Sequence, residues 1–122
     1  MQQDRLQHDR SQQGRASHVL VLGATGYVGG RLVPELILAG CEVRCLTRTP
    51  QGLSGTGWAG DVEVVEGDLS DLSSIGSAFD DIDQVVYLVH SLGIGDDFMQ
   101  QERVTARHAR MASERAVVRH LV

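Results

Sequence analysis

A glycine-rich turn between an apolar run and a helical pattern constrains this chain more than any other feature. The run HVLVL spans residues 18–22, and the turn GATGYVG follows at residues 23–29. The length of the run and its β-branched residues predict a buried strand. From Tyr27 to Ala39 apolar residues recur at helical spacing, and Gly40 is placed to end that helix. We therefore expect a strand, a tight turn and a helix in direct succession.

Such a turn can hold a pyrophosphate, because the first N–H groups of a helix lack partners within the helix and carry partial positive charge. Gly23 would make the tight turn, Gly26 would let phosphates approach the backbone, and Gly29 would let the helix pack closely. The alternative is a glycine-rich connection that binds nothing, but its place between a strand and a helix favours binding. The predicted phosphate-binding residues are Gly23, Thr25, Gly26, Tyr27, Val28 and Gly29.

The remaining segments continue an alternation of strands and helices. Strands are predicted at 42–46, 62–66 and 85–89, helices at 71–79 and 97–116, and a Gly/Ser/Thr-rich loop at 49–60. This order predicts an α/β fold, a doubly wound parallel sheet of the Rossmann type with right-handed crossovers.

The two ends of the chain differ from its centre. Residues 1–17 contain a single Leu among polar residues, which predicts a disordered tail or, alternatively, a partner-binding arm. The domain is expected to span 18–122, and residues 118–122 resemble the first part of a fifth strand. We therefore expect the domain to be incomplete, with a further C-terminal segment or a homodimer covering the edge of the sheet.

Composition excludes several function classes. The net charge is −5, all 11 basic side chains are Arg, and Lys is absent, so nucleic-acid binding is not expected. No apolar run is long enough to span a bilayer, and the N-terminus has no apolar signal region, so we expect a cytoplasmic protein. Cys41 and Cys45 are expected to be reduced thiols, and no metal site is predicted.

The spacing of the glycines is Gly-x-x-Gly-x-x-Gly, and with the preceding VLVL run it resembles the extended and atypical short-chain dehydrogenase/reductase superfamily. It is most similar to the NmrA-like NAD(P)-binding branch. The resemblance extends from about His18 to Val122. It implies a bound dinucleotide cofactor on a Rossmann domain.

The residue after the second strand bears on the choice of cofactor. An acid there would hold the adenosine ribose of NAD, but this chain has Thr47-Arg48. An Arg can pair with a 2′-phosphate, so Arg48 favours NADP over NAD. Arg48 could alternatively be a solvated surface residue. Arg44 is a weaker second candidate, expected to point into solvent.

Two further pairs follow predicted strands. The resemblance implies that Asp68 and the backbone of Leu69 hold the adenine, although Asp68 could instead only cap the next helix. Val89 and His90 fall where the family borders the nicotinamide ribose. His90 is equally compatible with a ligand contact and a structural role.

Catalytic residues are not predicted. Reductases of this superfamily commonly use a Tyr and, four positions later, a Lys that lowers the Tyr pKa. Here Tyr27 and Tyr87 are followed at that offset by Arg31 and Ser91. The leading interpretation is an NADP-binding domain, the N-terminal part of an oxidoreductase. The alternatives are a non-catalytic NADP-binding redox sensor or regulatory module, and a sugar-nucleotide epimerase fragment.

Overall fold

A computed structural model describes residues 16–88, 96–116, 118 and 120–121. Most of the predicted N-terminal tail, residues 1–15, therefore lies outside the described residues. In chain order the elements are β1 (His18–Leu22), α1 (Tyr27–Leu38), β2 (Glu42–Thr47), β3 (Glu63–Glu66), β4 (Gln84–Tyr87), α2 (Asp96–Arg115) and β5 (His120–Leu121).

The five described strands form one parallel sheet in the order β3-β2-β1-β4-β5. β1 lies at its centre, with Val19 opposite Val43 of β2 on one side and opposite Gln84 of β4 on the other. Because strands flank both of its edges and apolar clusters cover both faces of the sheet, residues 19–22 are each at most 1% exposed. The strand order reverses direction between β1 and β4, which confirms the predicted Rossmann-type architecture.

Each face of the sheet has its own apolar cluster. On one face, Val33 of α1 packs with β1 and β2 side chains and with Leu53 and Trp58 of the segment after β2. On the other, Ala109 and Ala112 of α2 pack against Phe79 and the opposite side chains of the strands. The sheet is therefore covered on both sides, as the near-continuous apolar strands require.

Helix α1 ends as its sequence predicts. Gly40 has φ 86°, its N–H donates to the carbonyl of Ile37, and the N–H of Cys41 donates to that of Leu36. These two bonds form a Schellman motif, in which a left-handed glycine satisfies the last helical carbonyls. The helix continues through Pro34.

The helix predicted at 71–79 forms as two separate 3-10 segments, Leu72–Ser74 and Gly76–Phe79, and not as one continuous α-helix. Polar side chains compete here for the backbone: Ser74 Oγ donates to the carbonyl oxygens of Asp68 and Asp71. Gly76 further weakens an α-helix at this position. The predicted loop at 49–60 likewise contains ordered turns, Pro50–Leu53 and Ala59–Asp61.

The expectation that Arg44 points into solvent is also wrong. Its side chain is only 15% exposed, and Nη1 donates to the carbonyl oxygens of Ala78 (2.9 Å) and Asp80 (2.7 Å). Its Nε lies 3.3 Å from a carboxylate oxygen of Glu63 on β3. Arg44 thus satisfies the carbonyl end of the turn at Gly76–Phe79 and cannot reach the carboxyl edge, the side of the sheet where the parallel strands end.

The two cysteines are free thiols, Cys41 half-buried and Cys45 buried in β2. Burial raises the pKa of the Cys45 thiol to about 11, because the thiolate would be poorly solvated there. Cys45 is therefore an apolar core residue at neutral pH.

Candidate functional site

The glycine turn joins the central strand to α1 at the carboxyl edge. Gly23 has φ 98°, and the N–H of Gly26 donates to its carbonyl oxygen at 3.1 Å. Gly26 is then the N-cap of α1, and its carbonyl accepts the bond from the Gly30 N–H at 2.9 Å. No side chain caps this helix and its first turn contains no acidic residue. The positive end of α1 is therefore left for an external anion.

Two glycines of the turn differ in what surrounds them. A Cβ on Gly29 would lie 2.5 Å from the Gly23 carbonyl oxygen and 2.6 Å from the Cα of Ala24. The close packing expected at Gly29 is thus present, against the turn itself. A Cβ on Gly26 would meet only the Gly23 carbonyl oxygen, at 3.5 Å. Gly26 is therefore not required by internal packing, and the space beside it is open.

Side chains at the start of α1 form an exposed rim around the turn. Tyr27 is 76% exposed and Val28 50% exposed, so neither contributes to the core. The guanidinium carbon of Arg31 lies 4.7 Å from the centre of the Tyr27 ring, a cation–π contact one helical turn apart. Thr25 is also exposed, and a Cβ on Gly52 would lie 3.4 Å from its methyl carbon. The segment after β2 therefore borders the glycine turn.

Arg48 follows the end of β2 and is exposed. Two bonds shape its surroundings: the N–H of Thr49 donates to Thr47 Oγ1 at 3.1 Å, and the N–H of Gly67 donates to the Thr47 carbonyl at 3.0 Å. The second bond joins the ends of β2 and β3. Arg48 consequently stands close enough to Asp68 to lower the pKa of that carboxyl.

Asp68 is held by its own loop. Its Oδ1 accepts bonds from the N–H and the hydroxyl of Ser70, at 2.9 and 2.8 Å. The backbone bond from Ser70 lowers the pKa of Asp68 most, and the hydroxyl bond lowers it further. Burial acts in the opposite direction, and the nearby charge of Arg48 adds a smaller lowering. The alternative in which Asp68 caps the next helix is wrong, since Asp71 accepts from Ser73 and begins that turn.

The backbone that follows Asp68 is anchored from two sides. The N–H of Asp68 donates to Ser74 Oγ at 3.0 Å. The carbonyl oxygen of Leu69 lies 2.5 Å from Nδ1 of His108 on α2. The Leu69 side chain packs on the core. The loop from Gly67 to Ser74 is therefore an ordered structure beside Arg48.

The end of β4 is linked to α2 in a similar way. The hydroxyl groups of Tyr87 and Thr105 are 2.9 Å apart, and Thr105 Oγ1 donates to the carbonyl of Glu102 at 3.1 Å. Since Thr105 has a single hydroxyl proton, Tyr87 is the donor of the pair. The predicted residues Val89 and His90 lie outside the described residues.

The structure thus brings the glycine turn, Arg48 and Asp68-Leu69 to one edge of the sheet. Sequence reasoning missed Thr105 and His108, which support this edge from α2. The sequence hints at these two residues only through helical spacing, which places them on the same face as the buried Ala109 and Ala112.

The sequence pattern of a family described as NAD(P)H-binding matches residues 23–122, from the first glycine of the turn onward. The chain belongs to this NAD(P)H-binding family. It is therefore an NAD(P)-binding domain, in agreement with the resemblance to the extended short-chain dehydrogenases/reductases. No curated protein is similar enough to the chain to be counted as a relative.

Solved structures similar to this NAD(P)H-binding chain include a reductase and an epimerase. The triphenylmethane reductase of Citrobacter sp., solved with NADP(H), is 24% identical, with a TM-score of 0.67 over 85% of this chain and 35% of its own. UDP-N-acetylglucosamine 4-epimerase from Bacillus cereus is 21% identical, with a TM-score of 0.70 over 84% and 36%. Pen from Bacillus thuringiensis is 16% identical, with a TM-score of 0.73 over 87% and 37%.

At these identities the likeness shows the fold. The NAD(P)H-binding chain spans little more than a third of the length of each of these three structures. Among the helices that the structure describes, none combines the length and the apolar character that a membrane crossing requires.

Proposed function

We propose that this chain binds NADP(H) across its carboxyl edge, as the cofactor domain of an oxidoreductase. The observation that carries the proposal is the start of α1: a helix with no side-chain cap, at a glycine beside open space, in a family that binds NAD(P)H. The pyrophosphate would bind the N–H groups there, with Thr25, Tyr27 and Val28 at the rim.

The position of this turn orients the rest of the cofactor. Since β2 and β3 lie on one side of β1 and β4 on the other, the adenosine half extends over β2 and β3. The nicotinamide half extends over β4, and Val89 and His90, which follow β4 in sequence, are proposed as its contacts. When bound, the nicotinamide supplies the hydride; the residues of this chain bind and orient it.

Arg48 is proposed as the contact for the 2′-phosphate. It is exposed at the end of β2, where an acidic residue would otherwise accept the ribose hydroxyl groups of NAD. An arginine can bind a phosphate through two parallel N–H donors. The presence of NADP(H) in the Citrobacter reductase structure supports this choice.

Asp68 and Leu69 are proposed as the adenine contacts. Asp68 uses Oδ1 for Ser70, and its second oxygen is left for a donor such as the exocyclic amine of adenine. The lowered pKa keeps the carboxylate ionised and therefore acceptor-only at neutral pH. An ordered loop of this kind favours binding, because little conformational freedom is lost when the base arrives.

The proposed domain spans residues 18–122, preceded by a tail, in a cytoplasmic protein. A further segment of the protein, or a second copy of the chain, would cover an edge of the sheet. The edge strand β3 is short, which limits pairing of that side of the sheet with unrelated chains.

A second candidate function is an NADP-binding sensor or regulatory module without turnover. The specific observation that favours it is the Tyr87 hydroxyl, which donates to the buried Thr105 and so is not directed at a substrate. The third candidate, part of a sugar-nucleotide epimerase, draws support from the fold shared with the Bacillus cereus enzyme.

The test is titration of the full chain with NADPH and with NADH. Binding is measured by the quenching of the fluorescence of Trp58, the single tryptophan. Wild type should bind NADPH at least about tenfold more tightly, since a charge-assisted contact contributes about 1.5–3 kcal/mol. Arg48→Ala should remove this preference, and Arg110→Ala, which deletes an exposed arginine of α2, should retain it. Equal affinity of wild type for the two cofactors would refute the NADP assignment.

A further inference from the structure

Helix α2 presents two polar side chains to the carboxyl edge. Thr105 contacts Tyr87 at the end of β4, and His108 contacts the Leu69 carbonyl in the loop after β3. The two residues are three positions apart and therefore lie on the same face of the helix. We propose that His108 is a positioning residue for adenine, acting through the backbone of Leu69.

The geometry supports a donor role for His108. A carbonyl oxygen can only accept, so the Nδ1 atom, 2.5 Å away, must carry the proton. This fixes the neutral ring as the Nδ1–H tautomer. His108 is half-buried, and its neighbour in the helix, Ala109, is buried in the core, so His108 lies at the border of the packed face of α2.

The bond between His108 and the Leu69 carbonyl restrains the loop at a position that the bonds within the loop do not restrain. Asp68 is tied to Ser70 and Ser74 by local bonds, within the loop. The bond from His108 to Leu69 spans 39 residues and fixes the loop relative to α2. Because α2 packs on the sheet through Ala109 and Ala112, the loop is fixed relative to the sheet as well.

This inference rests on the proposed NADP site, in which Asp68 and Leu69 face the adenine. His108 makes no contact with cofactor in it. His108 instead holds Leu69 in the position that it has when adenine is bound. Less conformational freedom of the loop is therefore lost on binding. Ligands that contain adenosine should therefore depend on His108, whereas ligands that lack adenosine should not.

The experiment compares His108→Asn with His108→Leu in the full chain. The Asn amide nitrogen can occupy the place of Nδ1 and keep the bond, whereas Leu has similar bulk and no donor. Binding of 2′,5′-ADP, which contains the adenosine half only, should be roughly fivefold weaker in His108→Leu, the loss expected for one hydrogen bond. His108→Asn should retain the wild-type affinity.

Two controls separate positioning from general damage. Nicotinamide mononucleotide, which lacks adenosine, should bind His108→Leu and wild type equally. Thr105→Val removes the other polar contact of the same helix face and should leave 2′,5′-ADP binding unchanged. If His108→Leu does not fold, His108→Gln takes its place, since its longer side chain moves the amide away from the Nδ1 position.

The outcomes are distinguishable. Wild-type affinity for 2′,5′-ADP in the variant without the donor would overturn the role of His108. The role of His108 would also be overturned if His108→Asn bound 2′,5′-ADP as weakly as His108→Leu does. The same holds if His108→Leu lost affinity equally for 2′,5′-ADP and for nicotinamide mononucleotide. Failure of wild type to bind 2′,5′-ADP at all would instead refute the proposed NADP site, and with it the adenine role that rests on it.

Discussion

The carbonyl oxygen of Gly23 lies only 2.5 Å from the position that a Cβ on Gly29 would occupy. The first turn of α1 thus packs against the turn after β1 so closely that no side chain fits between them. The contact fixes the direction of the helix relative to the strand. It therefore also fixes where the N–H groups of the helix point.

Gly29→Ala should consequently destabilise the protein by about 1–3 kcal/mol, as expected when atoms are forced into a packed site. Thermal unfolding measures the effect. Gly30→Ala is the matched control, because a Cβ on Gly30 meets no atom within 4 Å. It should be neutral or stabilise by up to about 1 kcal/mol, since Ala favours a helix over Gly. Equal melting temperatures for the two variants would contradict the close approach at Gly29.

Gly26→Val should separate binding from folding. Its Cβ would be in ordinary contact with the Gly23 carbonyl, and its backbone has φ −79°, which Val can adopt. Stability should change by no more than about 1 kcal/mol, the usual range for a helix N-cap. Binding of both NADPH and NADH should be lost, because the side chain occupies the space for phosphate. Retained binding in calorimetry would show that the turn is not the phosphate site.

Arg44→Met should be destabilising by about 1.5–3 kcal/mol, because the Ala78 carbonyl, in a partly buried bond, and the Asp80 carbonyl, in an exposed one, both lose a charged donor. Urea unfolding gives the free energy. Arg110→Met, at an exposed helix position, should change it by less than about 0.5 kcal/mol. A similarly small change at Arg44 would indicate that its bonds contribute little.

The lowered pKa of Asp68 makes its contribution to stability depend on pH. A carboxyl with a lower pKa in the folded than in the unfolded chain stabilises the fold fully above its ordinary value of 3.8. This contribution is lost as the pH falls through the lower folded value. Asp68→Asn should therefore be less stable than wild type at pH 7, and the difference should shrink in acid. The check is urea unfolding of both proteins from pH 7 to 3; a constant difference would argue against a perturbed carboxyl.

Much of the fold is encoded locally and could be predicted. The central strand, the helix from Tyr27 and its end at Gly40 depend on apolar spacing and on glycine, and their predicted bounds agree with the structure to within one residue. The glycine turn is readable for the same reason, since the residue type needed at each position follows from backbone geometry.

Apart from the interrupted helix at 71–79, the features that prediction missed involve residues whose partners are distant in sequence. Arg44 is largely shielded from solvent because its guanidinium bonds carbonyl groups more than 30 residues later. Trp58 is buried in a segment without apolar periodicity. His108 reaches back 39 residues to Leu69. Each such contact exists only once the sheet has formed, so local patterns contain no sign of it.

The central place of β1 has a consequence for the order of events during synthesis. β1 precedes the other described strands in the chain, but its second neighbour, β4, follows 65 residues later, as the pairing of Val19 with Gln84 shows. Until that strand has left the ribosome, one side of the most apolar strand has no backbone partner. The nascent chain therefore passes through a stage in which apolar surface and strand edges are exposed and open to aggregation.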